Sequence, residues 1–546
     1  MFLFSQVIWG QKTFYAQPLS NLLSVKADIP SIYVDSLFLN DILIQDSIFF
    51  LDNQNRIVAR LQKTNINPYQ NGKWEILNNG QKIWRCRIYV PYAKAIAIEY
   101  SKFKIPKGGK LFIYNPSKKV ILGAYTSASN PKSGVFSTDF IKGDNLILEY
   151  NAPLLEEKDS FILNISGIIN RYQKESEGTG FGTSTSCEVN VNCEEGENWK
   201  KEAQSTVKIL IKSDDLYTYC SGVVLNNTAH NCIPYILTAD HCGEKSDSSD
   251  YQLWRFYFNY ESPDCNNPEN ENTINYKSLV GCQLIANGGE GGESGSDFRL
   301  IKLNNEIPPE WNVYYAGWDI EIQDSISGGG VGIHHPNGDI KKISTYKQTL
   351  EEYDPYGNNL KEAFWEVRWE ATTNGYGITE GGSSGSPLFS NLGLVIGTLS
   401  GGSSYCNETD KKMPDFYGKM SYHWASNGSD STQQLKYWLN PTKENITYLL
   451  GAYYPCSSQN NTMIFEDFSV FPNPTNGKIY IGAPEIKDLA NAQIYIYSLR
   501  GILVKSCLLS NKIDIQEVDI SEFAAGIYIL VVKTKKDIFT KKIILF

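Results

Sequence analysis

Short runs of alternating apolar and polar residues, separated by Gly, Pro and Asn, constrain the fold of this chain more than any other feature. Between positions 74 and 172 such runs recur, for example RIYV at 87–90 and KLFIY at 110–114. Successive side chains of a β-strand point to opposite faces, so a period of two between turn residues indicates short strands packed in two sheets. We therefore predict an all-β chain with a β-sandwich in its N-terminal part.

Two stretches without apolar periodicity divide the chain. Residues 177–186 (EGTGFGTSTS) and 456–463 (CSSQNNTM) are almost entirely small or polar, which is typical of linkers. Between them strand-like runs alternate with long loops rich in Gly and Asn, which predicts a β-barrel domain that ends in a short helix near Trp438. The predicted boundaries are 1–15 for a signal-peptide remnant, 16–174 for a pro-region with the β-sandwich, 175–186 for a linker, 187–455 for the barrel domain, 456–464 for a second linker and 465–546 for a small C-terminal β-sandwich.

Charge and hydropathy exclude two classes of partner. The chain has 50 basic and 60 acidic residues, a net charge of −10, and therefore no basic field to hold a phosphate backbone. No stretch approaches the roughly 18 consecutive apolar residues that a spanning helix needs. We expect neither nucleic acid binding nor a membrane span. The apolar start MFLFSQVIWG suits the end of a signal-peptide core, although it lacks a basic n-region.

Cysteine usage indicates the redox compartment. Seven of the 11 cysteines fall between positions 187 and 282. Such clustering suits disulfides in an exported domain. The alternative is a zinc site, but only Cys242 follows a His directly and no CxxC pair occurs, so disulfides are favoured over metal. The odd count leaves at least one thiol unpaired.

Three segments carry candidate chemistry. In ILTADHC (236–242) an apolar strand runs directly into His241, one of only five histidines. In GGSSGSPLF (381–389) Ser384 lies between small residues, in a turn able to aim two backbone N–H groups at one point, as an oxyanion hole requires. In GSDFRLIKL (295–303) Asp297 begins an alternating strand, where a carboxylate can be buried and hydrogen-bonded.

Each segment taken alone favours an ordinary explanation. A Gly/Ser stretch is usually a loop, a lone His is usually structural, and an Asp before a strand is commonly a turn residue. Taken together, however, His241, Asp297 and Ser384 follow one another in the chain order of the chymotrypsin group. The joint occurrence predicts a catalytic triad.

The sequence resembles a known family at these and further motifs. LTADHC and GSSGSP are similar to the LTAxHC and GDSGGP signatures of trypsin-like serine peptidases, and residues 187–450 resemble the bacterial lysyl endopeptidases in particular. The further markers are AGWD at 316–319, GIHHP at 332–336, Trp369 and DFYG at 415–418. The resemblance implies a chymotrypsin-like double β-barrel and a secreted serine endopeptidase that needs no cofactor and no metal.

The resemblance implies a role for each triad residue. Ser384 is the expected nucleophile, His241 the base that activates it, and Asp297 the residue that holds the His241 tautomer. The N–H groups of Gly382 and Ser384 are expected to bind the developing oxyanion. His334 and His335 belong to a motif of the family, but one base suffices and their place before a turn favours a structural role.

The specificity pocket implied by the resemblance differs from that of trypsin. Trypsin has an acidic residue six positions before its nucleophile, where this chain has Ile378. The lysyl endopeptidases use an Asp downstream, which corresponds to Asp415, and the alternative is a solvated loop Asp. The other expected substrate-binding residues are Trp369, Ser400, Gly401 and Gly402. We therefore predict cleavage after lysine in peptides and proteins.

The resemblance also implies three disulfides, Cys187–Cys406, Cys193–Cys265 and Cys220–Cys242. Cys232 and Cys282 are then left over in the same domain and are expected to pair. Cys86, Cys456 and Cys507 stay unassigned.

The flanking regions predict export and maturation. FPNP at 471–474, IYIY at 494–497 followed by RG at 500–501, and FAAGIY at 523–528 resemble the C-terminal sorting domain of type IX secretion. This tail implies a secreted or cell-surface protein with the secretion machinery as a partner. Trypsin pairs a freed N-terminus with the Asp before its nucleophile, and Ser383 excludes that ion pair here.

Removal of the pro-region is therefore expected to uncover the cleft, by a cut after Lys174, because nicking concentrates in exposed linkers. The rival hypothesis is a non-catalytic exported binding or adhesion protein on a protease fold.

Overall fold

The computed structural model describes most of the chain. The described residues are 17–22, 28–35, 37–53, 56–77, 79–153, 161–173, 180–288, 294–321, 329–357, 359–406, 413–456, 469–482, 493–498, 502–508, 515–533 and 538–546. The predicted signal remnant, the proposed cut after Lys174 and positions 457–464 of the second linker lie outside them. Within the described ranges, no helix combines the length and the apolar character needed to cross a membrane.

The N-terminal unit is a sandwich of two sheets. Its strands are β1 (Ser31–Tyr33), β2 (Ile57–Ile66), β3 (Lys73–Ile76), β4 (Lys82–Tyr89), β5 (Ala95–Lys104), β6 (Lys110–Tyr114), β7 (Ile121–Tyr125), β8 (Phe136–Ser137), β9 (Ile141–Lys142), β10 (Asn145–Asn151) and β11 (Ile162–Arg171), with helices α1 (Leu19–Leu22) and α2 (Leu39–Asn53). One sheet has the order β1-β4-β10-β6-β7, and the other contains β2-β11-β5-β8. Inward side chains such as Ile88 and Leu148 of the first sheet share a core with Ile98 and Ile165 of the second.

The central domain begins with a set of consecutively hydrogen-bonded strands. Its elements are β12 (Val189–Asn190), α3 (Lys200–Ser205), β13 (Thr206–Ser213), β14 (Leu216–Leu225), β15 (Tyr235–Ala239), β16 (Arg255–Phe258), β17 (Lys277–Val280), β18 (Cys282–Asn287) and β19 (Phe298–Leu303). β13 pairs with β14, β14 with β15, β15 with β19 and β19 with β18, while β17 pairs with β16 and β16 with β13. Gly281 alone separates β17 from β18, at a φ of +89°.

The second half of the central domain is another sheet. Its elements are β20 (Tyr314–Tyr315), β21 (Trp318–Asp319), β22 (Gly330–His334), β23 (Lys342–Tyr346), β24 (Glu351–Tyr353), β25 (Phe364–Val367), β26 (Pro387–Ser390), β27 (Val395–Gly402), β28 (Asp415–Lys419), α4 (Met420–Ala425), α5 (Lys436–Leu439), β29 (Tyr448–Leu449) and β30 (Ala452–Tyr453). Its order is β12-β23-β22-β26-β27-β28-β25-β24. Leu237 and Leu300 of the first half share a core with Ile333 and Phe389 of the second, so the two halves pack on one another.

The C-terminal unit is a small two-sheet sandwich, as predicted. Its strands are β31 (Ser469–Phe471), β32 (Lys478–Gly482), β33 (Gln493–Ser498), β34 (Leu503–Leu508), β35 (Ile515–Asp519), β36 (Gly526–Lys533) and β37 (Ile538–Leu545). The sheets have the orders β31-β32-β35 and β34-β33-β36-β37. Ile479 and Val518 from one sheet pack with Ile494, Leu530 and Ile543 from the other. The chain is therefore all-β in each of its parts.

The N-terminal unit and the central domain share a sheet. β2 pairs antiparallel with the start of β14, where Tyr217 lies opposite Ala59. Behind this edge the Tyr217 hydroxyl donates a hydrogen bond to the buried carboxylate of Glu99. The attachment therefore consists of backbone pairing together with buried polar contacts.

Asp139 is the centre of a second set of buried contacts across this boundary. Its carboxylate accepts hydrogen bonds from the hydroxyls of Tyr257 at 3.0 Å and Tyr276 at 2.7 Å. Nearby, the Arg255 guanidinium donates to the carbonyl oxygen of Ser137 at 2.6 Å. Within the described residues, no hydrogen bond or ion pair joins residues 17–173 to His241, Asp297, Ser384 or Asp415. The expectation that removal of this unit uncovers the cleft stays a prediction.

We expect the N-terminal unit to remain bound after the chain between the two domains is cut. A recognition sequence for a site-specific protease, inserted between positions 176 and 177, allows that cut to be made in the full chain. The two fragments should co-elute in gel filtration. Asp139→Ala should weaken their association roughly 10- to 100-fold, because a buried group left without its hydrogen-bond partner costs about 1–3 kcal/mol.

Asp144→Ala, at a half-buried carboxylate of the same unit, is the matched control. Separation of the unaltered fragments without denaturant would contradict this account of the interface.

Candidate active site

The pairing of β15 with β19 brings His241 and Asp297 together. Ala239 at the end of β15 lies opposite Phe298 at the start of β19, so the residues just beyond these ends are neighbours. Asp297 Oδ2 lies 2.7 Å from His241 Nδ1, and Asp297 Oδ1 accepts the backbone N–H of His241 at 2.9 Å. The Asp297 carboxylate is fully buried, whereas the His241 side chain is 25% exposed. The imidazole is thus anchored on its Nδ1 side.

Electrostatic effects at this pair favour a charged histidine. Burial lowers the pKa of His241, but the negative charges of Asp297, Asp240 and Glu244 and the Asp297 hydrogen bond together raise it above its ordinary value. Burial likewise opposes the ionised form of Asp297, yet His241 and the Ser400 hydroxyl bring its pKa below its ordinary value. Asp297 is therefore ionised at neutral pH, and it holds the proton of His241 on Nδ1.

Cross-links on both sides hold the His241 segment in place. The Asp240 carboxylate forms a buried ion pair with Arg299 at 2.7 Å. On the other side, Cys242 is joined to Cys220 of β14. Both neighbours of His241 are thereby bonded to strands of the first half of the central domain, β19 and β14.

Ser384 lies in a tight turn that packs on the His241 segment. Its carbonyl oxygen accepts the N–H of Ser221 at 2.8 Å, and the N–H of Gly385 bonds to Leu399 at 2.8 Å. Gly385 has a φ of +79°, and a Cβ there would approach Thr238 Oγ1 to 2.1 Å. Only glycine fits this close contact between the turn and β15. The fold therefore brings the three sequence-predicted segments together at the junction of the two halves.

The N–H groups predicted to bind an oxyanion are available. Gly382 has a φ of +91°, and its carbonyl oxygen accepts the Ser221 hydroxyl at 2.9 Å. Among the described residues, no acceptor takes the backbone N–H of Gly382 or that of Ser384. Two N–H donors without acceptors in one turn are a candidate site for a developing negative charge.

His334 and His335 are fully buried and support the same turn. His334 Nδ1 lies 2.8 Å from the Ser383 hydroxyl and its Nε2 lies 3.0 Å from Ser344 Oγ. The N–H of His335 donates to Ser221 Oγ at 3.0 Å. Burial lowers the pKa of His334 to about 3 and that of His335 well below its ordinary value, so both rings are neutral. These contacts agree with the structural role expected for the pair.

Asp415 is a fully buried strand residue, which excludes the alternative of a solvated loop Asp. Its Oδ2 accepts hydrogen bonds from Trp369 Nε1 at 2.6 Å, Thr379 Oγ1 at 2.7 Å and Ser404 Oγ at 2.7 Å, and its Oδ1 accepts one from Ser404 N at 3.1 Å. No Lys, Arg or His of the described residues forms an ion pair with it. Burial raises the pKa of Asp415 although these hydrogen bonds act in the opposite direction.

Of the other predicted pocket residues, Trp369 and Gly402 lie next to this carboxylate. Gly402 lies opposite Asp415 in the sheet, and a Cβ on it would approach Asp415 Oδ1 to 1.8 Å. Gly401 is its neighbour in β27, and Trp369 packs in a core cluster with Ile378. Ser400 instead turns to the triad, where its hydroxyl donates to Asp297 Oδ2 at 2.5 Å.

The cysteines pair largely as the resemblance implies. Bonds join Cys187 to Cys406, Cys193 to Cys265 and Cys220 to Cys242. The expected pairing of Cys232 with Cys282 is wrong, because Cys232 is joined to Cys456.

Cys282 is a free thiol in the buried pair β18–β19, where its Sγ faces the carbonyl oxygen of Tyr251 at 3.6 Å. Cys86 and Cys507 are also free. The first residue of the predicted second linker, Cys456, is thus tied to the central domain.

Several residues of the site were not predictable from the motifs. Ser221, from the middle of β14, holds both Gly382 and His335. The Tyr356 hydroxyl lies 3.1 Å from Ser400 Oγ. Thr379 and Ser404, which bind Asp415, come from loops that carry no recognisable signal. In the described ranges, no group of three or more His, Cys, Asp or Glu side chains has an arrangement suited to a metal ion.

Two family models match the chain. Residues 181–418 match the lysyl endopeptidase C-terminal domain. Residues 469–545 match the secretion system C-terminal sorting domain. The two matches fall on the central domain and on the C-terminal sandwich, respectively.

Known proteins are similar over the central part of the chain. Lysyl endopeptidase of Pseudomonas aeruginosa is 27% identical over 346 residues, which are 60% of this chain and 69% of that protein. Two solved structures are a thermostable serine protease, AL20, from an extremophilic microorganism (14% identity, TM-score 0.28, 40% of this chain and 92% of that one) and the protease Anisep from Arthrobacter nicotinovorans (17% identity, TM-score 0.26, 40% and 90%).

The Asp297 carboxylate should set the titration of His241. In Asp297→Asn the pKa of His241 should fall by about 1–3 units, because an opposite charge at hydrogen-bond distance raises a histidine pKa by about that amount. The measurement is an NMR titration of the imidazole nitrogens, and the chain has only five histidines to assign.

Asp264→Asn, at an exposed carboxylate of the same domain, is the control and should leave the titration unchanged. An unaltered His241 pKa in Asp297→Asn would show that the pair is not coupled.

Proposed function

We propose that this serine endopeptidase, whose residues 181–418 match the lysyl endopeptidase C-terminal domain and whose residues 469–545 match a secretion sorting domain, cleaves peptide bonds on the carboxyl side of lysine. The proposed nucleophile is Ser384, activated by His241. The observation that carries the specificity is the buried, hydrogen-bonded carboxylate of Asp415, which has no cationic partner among the described residues. Peptides and proteins with accessible lysines are the proposed substrates.

Acylation begins at the Ser384 hydroxyl. His241, whose Nδ1 is occupied by Asp297, has Nε2 available to accept the hydroxyl proton as Oγ attacks the carbonyl carbon. The same nitrogen then returns the proton to the leaving amine. Asp297 stabilises the imidazolium formed between these steps, and the Ser400 hydroxyl orients Asp297. Water repeats the sequence on the acyl-enzyme and releases the product carboxylate.

The proposed oxyanion hole consists of the N–H groups of Gly382 and Ser384. Both are free of acceptors in the described part of the chain, so neither has to break a hydrogen bond when the substrate carbonyl oxygen becomes negative. Such preorganised donors are worth on the order of 10²–10³ in rate each. Ser221 holds the carbonyl groups of Gly382 and Ser384, which lie on either side of the peptide unit that carries the Ser384 N–H.

Asp415 is the proposed partner of the substrate ammonium. A lysine side chain that enters a buried pocket loses its hydration, and an unpaired buried charge costs several kcal/mol. Oδ1 of Asp415 accepts one hydrogen bond and retains capacity for another, and Gly402, which has no Cβ, allows this oxygen to lie close to the neighbouring strand. A single carboxylate whose other oxygen is already occupied by three donors suits the compact ammonium better than the planar guanidinium, which prefers two parallel hydrogen bonds.

A non-catalytic binding protein on the same fold is the rival from a different class. Such a protein would have no need for an anchored imidazole beside an unpaired pair of N–H donors. The secretion machinery remains the proposed partner of the C-terminal unit in either case.

Ser384→Ala and His241→Ala should each abolish peptide hydrolysis while the free energy of unfolding stays near that of the unaltered chain. Loss of a triad residue costs on the order of 10⁴–10⁶ in kcat. A fluorophosphonate probe should label Ser384 in the unaltered chain and fail to label either variant. Undiminished hydrolysis in Ser384→Ala would remove this assignment, and an unaltered chain that is neither active nor labelled would favour the rival.

Asp415→Asn should reduce kcat/KM for lysine substrates on the order of 10²–10³-fold, because the buried ammonium then lacks a counter-charge. The measurement compares matched substrates with Lys, Arg, Leu or Glu before the cleaved bond. Activity on the Leu substrate should stay the same or rise.

Asp264→Asn provides the matched Asp-to-Asn control. Equal losses on all four substrates would indicate that Asp415 only supports the local structure, and full retention on Lys would show that another group binds the ammonium.

A further inference from the structure

Asp339 is a buried carboxylate outside the triad that holds the segment at the start of the central domain. Its side chain is 2% exposed. Oδ1 accepts the N–H of Gly182 at 2.7 Å, and Oδ2 accepts both the N–H of Ser184 at 3.1 Å and the Ser184 hydroxyl at 2.6 Å. Residues 180–185, which we call the strap, are thereby fixed against the loop 335–339.

The same loop contacts the turn of the proposed oxyanion hole. The N–H of Gly180 in the strap donates to the carbonyl oxygen of Asn337 at 2.6 Å, and the N–H of Asn337 donates to the carbonyl oxygen of Gly381 at 2.6 Å. A Cβ placed on Gly382 would approach Gly338 N to 3.0 Å, which shows how closely the loop and the turn pack.

A second contact joins the strap to the turn directly. The N–H of Thr185 donates to Glu380 Oε2 at 3.1 Å. The N–H of Glu380 in turn donates to the Ser383 hydroxyl at 3.1 Å. Two separate series of hydrogen bonds therefore connect the strap to the turn.

Because a peptide unit is planar, these contacts also fix the direction of a proposed oxyanion donor, the N–H of Gly382. The carbonyl of Gly381 and the N–H of Gly382 belong to one trans peptide unit, so they point in opposite directions. A carbonyl held by Asn337 therefore directs the Gly382 N–H away from the loop. Glycine at both positions leaves the backbone free to rotate this unit unless something holds it.

We propose that the strap, anchored by Asp339, is a positioning element that holds the Gly381–Gly382 peptide with its N–H directed at the substrate carbonyl. Asp339 is the positioning residue, since it touches neither substrate nor triad. This inference rests on the proposed oxyanion hole and extends it to a residue that no motif identifies. Ser383, the residue before the nucleophile, is neutral, so no buried charge at this position supports the turn. The strap provides that support instead.

The test is the steady-state kinetics of Asp339→Asn and Ser184→Ala in the full chain, with Asp264→Asn as the matched control. In Asp339→Asn an NH₂ group replaces one oxygen, so either Gly182 or Ser184 loses its acceptor. We expect kcat on lysine substrates to fall roughly 10- to 100-fold with KM changed less than about twofold, since displacing one oxyanion donor acts on the transition state. Ser184→Ala, which removes one of the contacts, should give a smaller loss in the same direction.

A peptide aldehyde ending in lysine gives a second readout, because its adduct with Ser384 places an oxyanion in the hole. Asp339→Asn should weaken its binding by about the same factor as kcat, while the affinity for a product peptide ending in lysine stays unchanged. A merely structural role would lower both affinities, or would lower kcat only in step with the melting temperature.

Unaltered kcat and aldehyde affinity in Asp339→Asn, with the unaltered chain active and labelled at Ser384, would overturn the role of the strap alone. An unaltered chain that is neither active nor labelled would overturn the proposed function, and this inference with it.

Discussion

Asp297 has no exposed surface, so its negative charge must be balanced by donors that the fold supplies, because an unpaired buried charge is strongly unfavourable. The backbone and imidazole of His241 come from the end of β15, and the Ser400 hydroxyl comes from β27 in the other half. One carboxylate therefore joins both halves of the central domain. The position of His241 depends on this arrangement, and so does its raised pKa.

Other parts of the structure serve to hold backbone groups near this carboxylate. Ser221 fixes the carbonyls of Gly382 and Ser384 in the turn, and Asn337 fixes that of Gly381. Ser383 is held by the neutral His334 and not by a cation. The turn is thus held directly by the uncharged groups of Ser221, Asn337 and His334.

Short local motifs in the sequence predicted the segments that carry the proposed catalytic residues. A strand running into His241, a glycine-rich turn at Ser384 and an Asp before a strand are local features, and the β15–β19 register then brings two of them together. Asp415 and three of the disulfides followed from the resemblance. Each of these has a short motif that survives in the sequence.

Contacts between distant segments were not predictable in the same way. The pairing of β2 with β14 is made by backbone atoms, which carry no residue signature, and a polar linker gives no sign that residues 180–185 bind Asp339. The bond from Cys232 to Cys456 depends on where the chain passes after β30, and the residues around Ser400 give no sign that its hydroxyl reaches Asp297. In each case three-dimensional proximity, and not local pattern, decides the partner.

The most direct test of the central claim is to digest an unfolded protein of known sequence with the purified enzyme and to identify every new C-terminus by mass spectrometry. The account predicts that the new termini are lysines, that few or none are arginines, and that none form with Ser384→Ala. New termini distributed over other residues, or an undiminished digest with Ser384→Ala, would contradict it.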